Sequence, residues 1–187
     1  MLSEREKMLD GQLYNAEDLE LKRMRIEAKK ISKQYNELVY EEPEKANKLL
    51  AQMFKSSGSN IYAEPDIFID YGKNTVIGNN FYANTGLVIL DVAEVNIGND
   101  VLIGPRVSIM TAGHPIDATV RNQGLEFGKK ITIKNNVWIG GNVVINPGVI
   151  IGDNVVIGSG SVVVKNIPDN TIAVGNPAHV IKTINQL

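Results

Sequence analysis

The stretch IKNNVWIGGNVVINPGVIIGDNVVIGSGSVV, residues 133–163, decides the fold. In it an aliphatic residue returns at every sixth position: Ile133, Ile139, Ile145, Ile151, Ile157 and Val163. Two residues ahead of each stands a small or β-branched residue: Ile131, Val137, Val143, Val149, Val155 and Ser161. The same spacing appears earlier at Ile97, Ile103 and Ile109, preceded by Val95, Val101 and Val107. An α-helix has no use for a period of six, because at 3.6 residues per turn the apolar positions wander around its surface. A short strand followed by a corner does use it. Each hexad supplies an inward pair, then a polar turn such as Gly98-Asn99-Asp100 or Gly152-Asp153-Asn154, whose residues tolerate left-handed backbone angles. The pattern predicts stacked parallel strands in an all-β solenoid, a hexapeptide β-helix.

Working outward, the register continues backward through Tyr71, Ile77, Ala83 and Ile89, but the step from Ile89 to Ile97 is two residues too long. The surplus is expected to bulge near Asp91 and lift its carboxylate off the wall. After Ile109 the repeat stops. Residues 110–130 carry neither period two nor period 3.6, and an irregular segment this long inside a compact fold tends to be functional or disordered. It reads as an ordered arm containing Thr111-Ala112-Gly113-His114-Pro115. The tail, 167–187, breaks the repeat at Ile167-Pro168-Asp169-Asn170. It then offers a strand over 171–174 and a helix or strand over 178–185. Upstream, residues 1–55 change to helical spacing and read as an N-terminal helical cap, interrupted by a loop over 11–15. Pro43 opens a last helix, since proline is tolerated in the first turn. Ser56 to Pro65 reads as the link into the first coil of a repeat domain spanning 56–187.

Composition agrees. Of 187 residues 43% are apolar, yet aromatics are only 6% and there are 17 glycines, as a narrow prism of Val and Ile requires. A net charge of −2 argues against a nucleic-acid partner. The absence of cysteine removes disulfides, thiolate nucleophiles and cysteine-bearing metal sites. The charged start and the lack of a long apolar run lead to the expectation of a cytoplasmic protein with no membrane partner. His114 and His179, the only histidines, are too few and too far apart for a metal site, and none is expected. An imidazole, ordinarily titrating near about 6.5, suits a general base. His114 lies in the one long interruption of the scaffold.

The motifs Asn80-Phe81-Tyr82-Ala83-Asn84, Thr111-Ala112-Gly113-His114-Pro115-Ile116-Asp117, Asn136-Val137-Trp138-Ile139-Gly140-Gly141 and Asn146-Pro147-Gly148-Val149 resemble the maltose/galactoside O-acetyltransferase family. So do Lys7-Met8 and Gly11-Gln12-Leu13-Tyr14 near the start and Gly175-Asn176-Pro177-Ala178 near the end. The resemblance implies a left-handed β-helix, a homotrimer with active sites between subunits, and transfer of acetyl from acetyl-CoA to a sugar hydroxyl. It implies His114 as the general base, Asn84 beside it, and a backbone N–H near Gly141 as donor to the developing oxyanion. The sugar pocket is expected from Tyr82, Asp70, Asp91, Glu126 and, from the N-terminal loop, Asp18. Phe127 is a further candidate lining residue. The cofactor is expected along Trp138, Ser159 and Gly160, with Val164, Lys165, His179 and Lys182 near its far end. Three positions depart from the family pattern: Val164 for a common Thr, His179 for Arg, and Lys130 for Pro. A different hydroxyl acceptor, serine or an antibiotic, and a non-catalytic trimeric scaffold are the alternative readings.

Overall fold

The computed structural model describes residues 1–184. The last residue of the element expected over 178–185, and the last residues of the expected repeat domain, lie outside them. The chain forms a left-handed parallel β-solenoid of about six turns with few helices. Its first wall is built from Ser56–Ser57, Thr75–Ile77, Val95–Ile97, Ile131–Ile133 and Ile150–Ile151. The second holds Tyr62–Ala63, Tyr82–Ala83, Leu102–Ile103, Trp138–Ile139, Val156–Ile157 and Thr171–Gly175, with Ala178–Thr183 returning antiparallel at its edge. The third holds Phe68–Ile69, Val88–Leu90, Ser108–Met110, Val144–Ile145 and Val162–Val163.

The hexad aliphatics of residues 133–163 point inward as the period requires, each at most 1% exposed. Stacked β-branched side chains fill the prism, and each buried Val or Ile contributes roughly 1.5–3 kcal/mol relative to an exposed one. Coil length varies. Val76 lies over Ser56 and Asn96 over Val76, so the lower coils take 20 residues, whereas Ile150 over Thr132 takes 18. The two-residue surplus expected only near Asp91 therefore occurs also one coil below. Ile69 is the rung there, and Tyr71 is a buried corner residue packed against Met8, Tyr14 and Leu21. Two more expectations change. Ser56 to Pro65 already contains first-coil strands, and Ile167 bridges Ile151, so the Ile167–Asn170 segment prolongs the solenoid instead of ending it.

The corner between first and second walls explains the polar turns. Asn60, Asn80, Asp100, Asn136, Asn154 and Asn170 all hold φ between 53° and 57°, the left-handed region that Asn and Asp adopt most readily among non-glycine residues. One position earlier, side-chain oxygens climb the corner as a ladder. The Asn79 N–H donates to Asn99 Oδ1 at 2.8 Å, Asn99 N–H to Asn135 Oδ1 at 2.9 Å, and Asn135 N–H to Asp153 Oδ1 at 2.9 Å. Asn99→Ala removes the acceptor for both Asn79 N–H and Asn79 Nδ2. At this exposed corner water takes over part of the bonding, so the expected cost is about 1 kcal/mol. Urea denaturation measures it, and an unchanged midpoint would show that the ladder is ornamental.

Three helices precede the prism: α1 (Glu4–Leu9), α2 (Leu19–Leu38) and α3 (Pro43–Met53). α1 begins with a capping box between Ser3 and Glu6, and α3 starts with Pro43 in its first turn. Tyr35, Ala46, Leu50, Met53 and Phe54 join the same core as Ala63, Ile69 and Ile77, so α2 and α3 cover the lower end of the prism. A solenoid needs such cover because its terminal coil has no neighbour.

The arm after Ile109 is ordered, as a hairpin too short to show a period. Ala112–Gly113 pairs antiparallel with Leu125–Gly128, and a one-turn helix α4 (Ala118–Arg121), capped by Asp117, sits at its tip. The loop expected over 11–15 contributes Tyr14–Asn15 as a third strand on the other edge of Leu125–Gly128.

Candidate active site

The three-stranded sheet fixes the region around His114. Tyr14 lies directly opposite Glu126, and Gly113 opposite Phe127, so His114, one step further, comes beside Glu126. His114 Nε2 is 4.0 Å from Glu126 Oε1, with the imidazole 54% exposed and the carboxylate 25%. The other carboxylate oxygen accepts a hydrogen bond from the Tyr14 hydroxyl at 2.9 Å. Tyr14 is fully buried, and burial with the neighbouring Glu126 charge pushes its phenol far up, so it stays a donor.

Asp70 shares this corner between third and first walls. Its carboxylate is 3.6 Å from Lys29 Nζ and only 15% exposed. Burial pushes its carboxyl upward against the pull of Lys29 and Arg25. Arg25 is fixed in turn by donating to the Tyr71 hydroxyl and the Ala16 carbonyl, both at 2.6 Å. Arg25 and Tyr14 received no role from the sequence, and Tyr71 only that of a rung in the repeat. Only Tyr14 lay within a quoted motif, and nothing in the sequence pairs it with a residue 112 positions away.

One expected pocket residue is corrected, and a second has a structural role as well. Asp91 is not lifted off the wall but fully buried: its carboxylate accepts from Tyr71 N–H (2.8 Å), Gly72 N–H (3.2 Å) and the Thr75 hydroxyl (2.9 Å). The cause is the surplus in the coil below, whose freed backbone donors face upward and need an acceptor. Asp18 is the N-cap of α2, its Oδ1 accepting from Glu20 and Leu21 N–H groups, so the helix terminus engages it.

The remaining candidates gather elsewhere. Asn84, Gly141, Ser159 and Gly160 line the corner between second and third walls, each just after a second-wall strand. Asn84 Oδ1 accepts the N–H of Thr85. The Gly141 N–H has no acceptor among the described residues, while Gly160 N–H donates to the Gly141 carbonyl at 2.8 Å. The coils touch closely here. A Cβ on Gly140 would lie 2.6 Å from Ser159 N, and one on Gly141 3.1 Å from Pro105 Cγ. Tyr82 and Trp138 project outward from the second wall. Tyr82 stacks on Tyr62 with ring centroids 6.1 Å apart, and Trp138, 57% exposed, stands directly above Leu102, 52% exposed.

Near the upper end, Val164, Lys165 and His179 line one open cleft of about 470 Å³ with Asn176 and Pro177. Lys182 is exposed on the returning strand opposite Ile172, outside that lining. Lys130 has a local explanation: its Nζ is 2.8 Å from Glu94 Oε2, an exposed pair tying the end of the arm to the coil below. No three His, Asp or Glu side chains converge on a possible metal position among the described residues, and no helix among them is long and apolar enough to cross a membrane.

This prism, its helical cover and its arm are those of a hexapeptide-repeat β-helix protein. Two family models match: the maltose acetyltransferase hexapeptide capping motif over residues 7–58, and the bacterial transferase hexapeptide with six repeats over 130–165. The galactoside O-acetyltransferase of Escherichia coli K12 is 44% identical over 180 residues, covering 96% of this chain and 89% of that protein. A maltose O-acetyltransferase from Clostridium difficile 630 superimposes with a TM-score of 0.97 at 50% identity over 99% of both chains. A galactoside acetyltransferase in complex with coenzyme A gives 0.95 at 43% identity, covering 99% of this chain and 92% of the other. The chain belongs to the maltose/galactoside O-acetyltransferase family and is an acetyltransferase of that family.

Proposed function

We propose that this protein transfers acetyl from acetyl-CoA to a sugar hydroxyl, with His114 as general base, in a homotrimer whose active sites lie between subunits. One observation carries the reading. His114 and Asp70 stand at one edge of the third wall, while Asn84 and Gly141 stand at the other. The intervening wall is about five extended residues wide, roughly 16 Å. Base and oxyanion donor meet only if the first edge of one prism faces the second edge of another. Flat walls with large apolar residues side by side, such as Leu102 and Trp138, suit that packing.

The acceptor hydroxyl would attack the thioester carbonyl as His114 takes its proton. The C–O bond forms, the oxyanion is held by the Gly141 N–H, and collapse breaks the C–S bond. His114 then returns the proton to the departing CoA thiolate. Asn84 would sit beside this centre. Asp70, Tyr82 and Glu126 supply hydrogen-bonding groups for the acceptor. Trp138, Ser159 and Gly160 would lie along the pantetheine arm, with Val164, Lys165 and His179 at the cleft and Lys182 nearby for the phosphates. The CoA complex of the galactoside acetyltransferase supports that cofactor.

The test is thioester consumption against mono- and disaccharides, serine and chloramphenicol. The expected result is CoA release stimulated most strongly by a sugar. A higher kcat/KM for serine or the antibiotic assigns another acceptor, and absence of both CoA binding and turnover leaves only a scaffold.

A further inference from the structure

We infer that the buried Tyr14 is a positioning residue for acetyl transfer, fixing the Glu126 carboxylate that orients His114, so that the N-terminal segment is part of the catalytic apparatus. The inference rests on His114 being the base and deepens that reading. Its ground is the register of the small sheet. Tyr14 and Glu126 are directly opposed across one ladder, and His114 reaches the same carboxylate one step beyond the last pair of the other. Residues opposed in this way carry their side chains on one face, with Cβ atoms about 4.5–5.5 Å apart. The two oxygens of Glu126 are divided accordingly: Oε2 accepts from Tyr14 at 2.9 Å, and Oε1 faces His114 Nε2 at 4.0 Å.

The division has a chemical consequence. An ionised carboxylate only accepts hydrogen bonds, so Oε1 facing Nε2 favours the tautomer with its proton on Nε2 and leaves Nδ1 as the basic nitrogen. The separation is 4.0 Å, and contacts of this kind commonly tighten when substrates bind. A carboxylate on a strand would otherwise choose among rotamers. The Tyr14 hydroxyl removes that freedom. Tyr14 is itself immobile, fully buried with Met8, Leu21, Tyr71 and Val92, and beneath it the Tyr71 hydroxyl is engaged by Arg25. Thus a tyrosine at the beginning of the chain holds a glutamate that faces a histidine 100 residues later.

The experiment compares Tyr14→Phe, Glu126→Gln, the double variant and His114→Ala, with kcat and KM for acetyl-CoA measured alongside thermal melting. Misplacing a reacting group by about 1 Å costs up to roughly 10²-fold, so Tyr14→Phe and Glu126→Gln are each expected to lower kcat by about 10- to 100-fold. KM for acetyl-CoA should hardly move. The double variant should be no worse than the poorer single one, because both changes break the same chain, and Tyr14→Phe should not reduce the residual rate of His114→Ala further. A purely structural tyrosine would lower the melting temperature without this kinetic epistasis. Wild-type kcat in either single variant, or losses that multiply in the double, overturns the inference. Should Tyr14→Phe fail to fold, Glu126→Gln with wild-type kcat still overturns it. Full turnover in His114→Ala removes the proposed base and the inference together, whereas an inactive His114→Ala beside a fully active Tyr14→Phe removes the inference alone.

Discussion

Replacing His114 by alanine is expected to lower kcat for acetyl transfer by about 10²–10⁴-fold, the range a positioned general base contributes. The expectation is specific because little else depends on this side chain. The imidazole is more than half exposed, and the Glu126 carboxylate beside it lies at 4.0 Å, beyond hydrogen-bond range. The arm stays in place through its backbone ladder, Ala112 opposite Gly128 and Gly113 opposite Phe127, and through Phe127 packed against Gly113. Folding stability should therefore change by no more than about 0.5 kcal/mol, as for exposed substitutions generally. KM for acetyl-CoA should also be preserved, since the residues proposed to hold the cofactor lie on the second wall, its corner and the upper cleft. A drop in kcat with stability and KM intact identifies a group that acts in the reaction. Turnover within a few-fold of wild type would mean that the proton leaves by another route.

The architecture was legible because a solenoid repeats its physics. Each hexad makes the same demand, an inward β-branched pair and a left-handed corner, and residues 133–163 make it often enough to expose the period. The departures from strict period were misread for the same reason. Tyr71 is apolar and falls on the sixfold count, yet Ile69 is the rung, because the coil is 20 residues long and the surplus is visible only when Ile69 is aligned under Ile89. Asp91 looked like an exposed carboxylate since a surplus in a solenoid usually projects. Nothing in its own coil announced that two backbone N–H groups below required an acceptor. The arm offered His114, as the one long interruption suggested. The hairpin of the arm itself brings Glu126 beside His114, but the link onward to Tyr14 depends on pairing across 112 residues, which no local spacing encodes. The two-sided distribution of the candidate site was likewise hidden until the corners were assigned to walls.

Asp91 provides the second large effect, on stability. Asp91→Ala strands the buried N–H groups of Tyr71 and Gly72, and at about 1–3 kcal/mol for each unsatisfied group the expected loss is about 2–6 kcal/mol. Gly72 cannot move to find another acceptor. It holds φ at +72° against the end of α3, where an added Cβ would meet the Met53 carbonyl. Asp91→Asn separates charge from shape, because one amide oxygen can keep accepting both N–H groups while the Thr75 hydroxyl turns to accept from the amide nitrogen. The wild-type carboxyl is lifted by burial to about 6, the three hydrogen bonds offsetting only part of that push. The sign follows. In the unfolded chain the group ionises near about 4, so between about 4 and 6 the unfolded state loses its proton while the folded state retains it, and stability falls as pH rises through this window. At about 1.4 kcal/mol per pH unit the interval amounts to about 3 kcal/mol, complete above the folded value. Other carboxylates titrate identically in both proteins and cancel in the difference. Denaturation of wild type and Asp91→Asn from pH 4 to 8 should therefore give a stability difference that shifts by about 3 kcal/mol in favour of the variant between pH 4 and 7. A difference independent of pH would mean that the three donors stabilise the carboxylate enough to cancel its burial, and that Asp91 is ionised in the folded protein throughout.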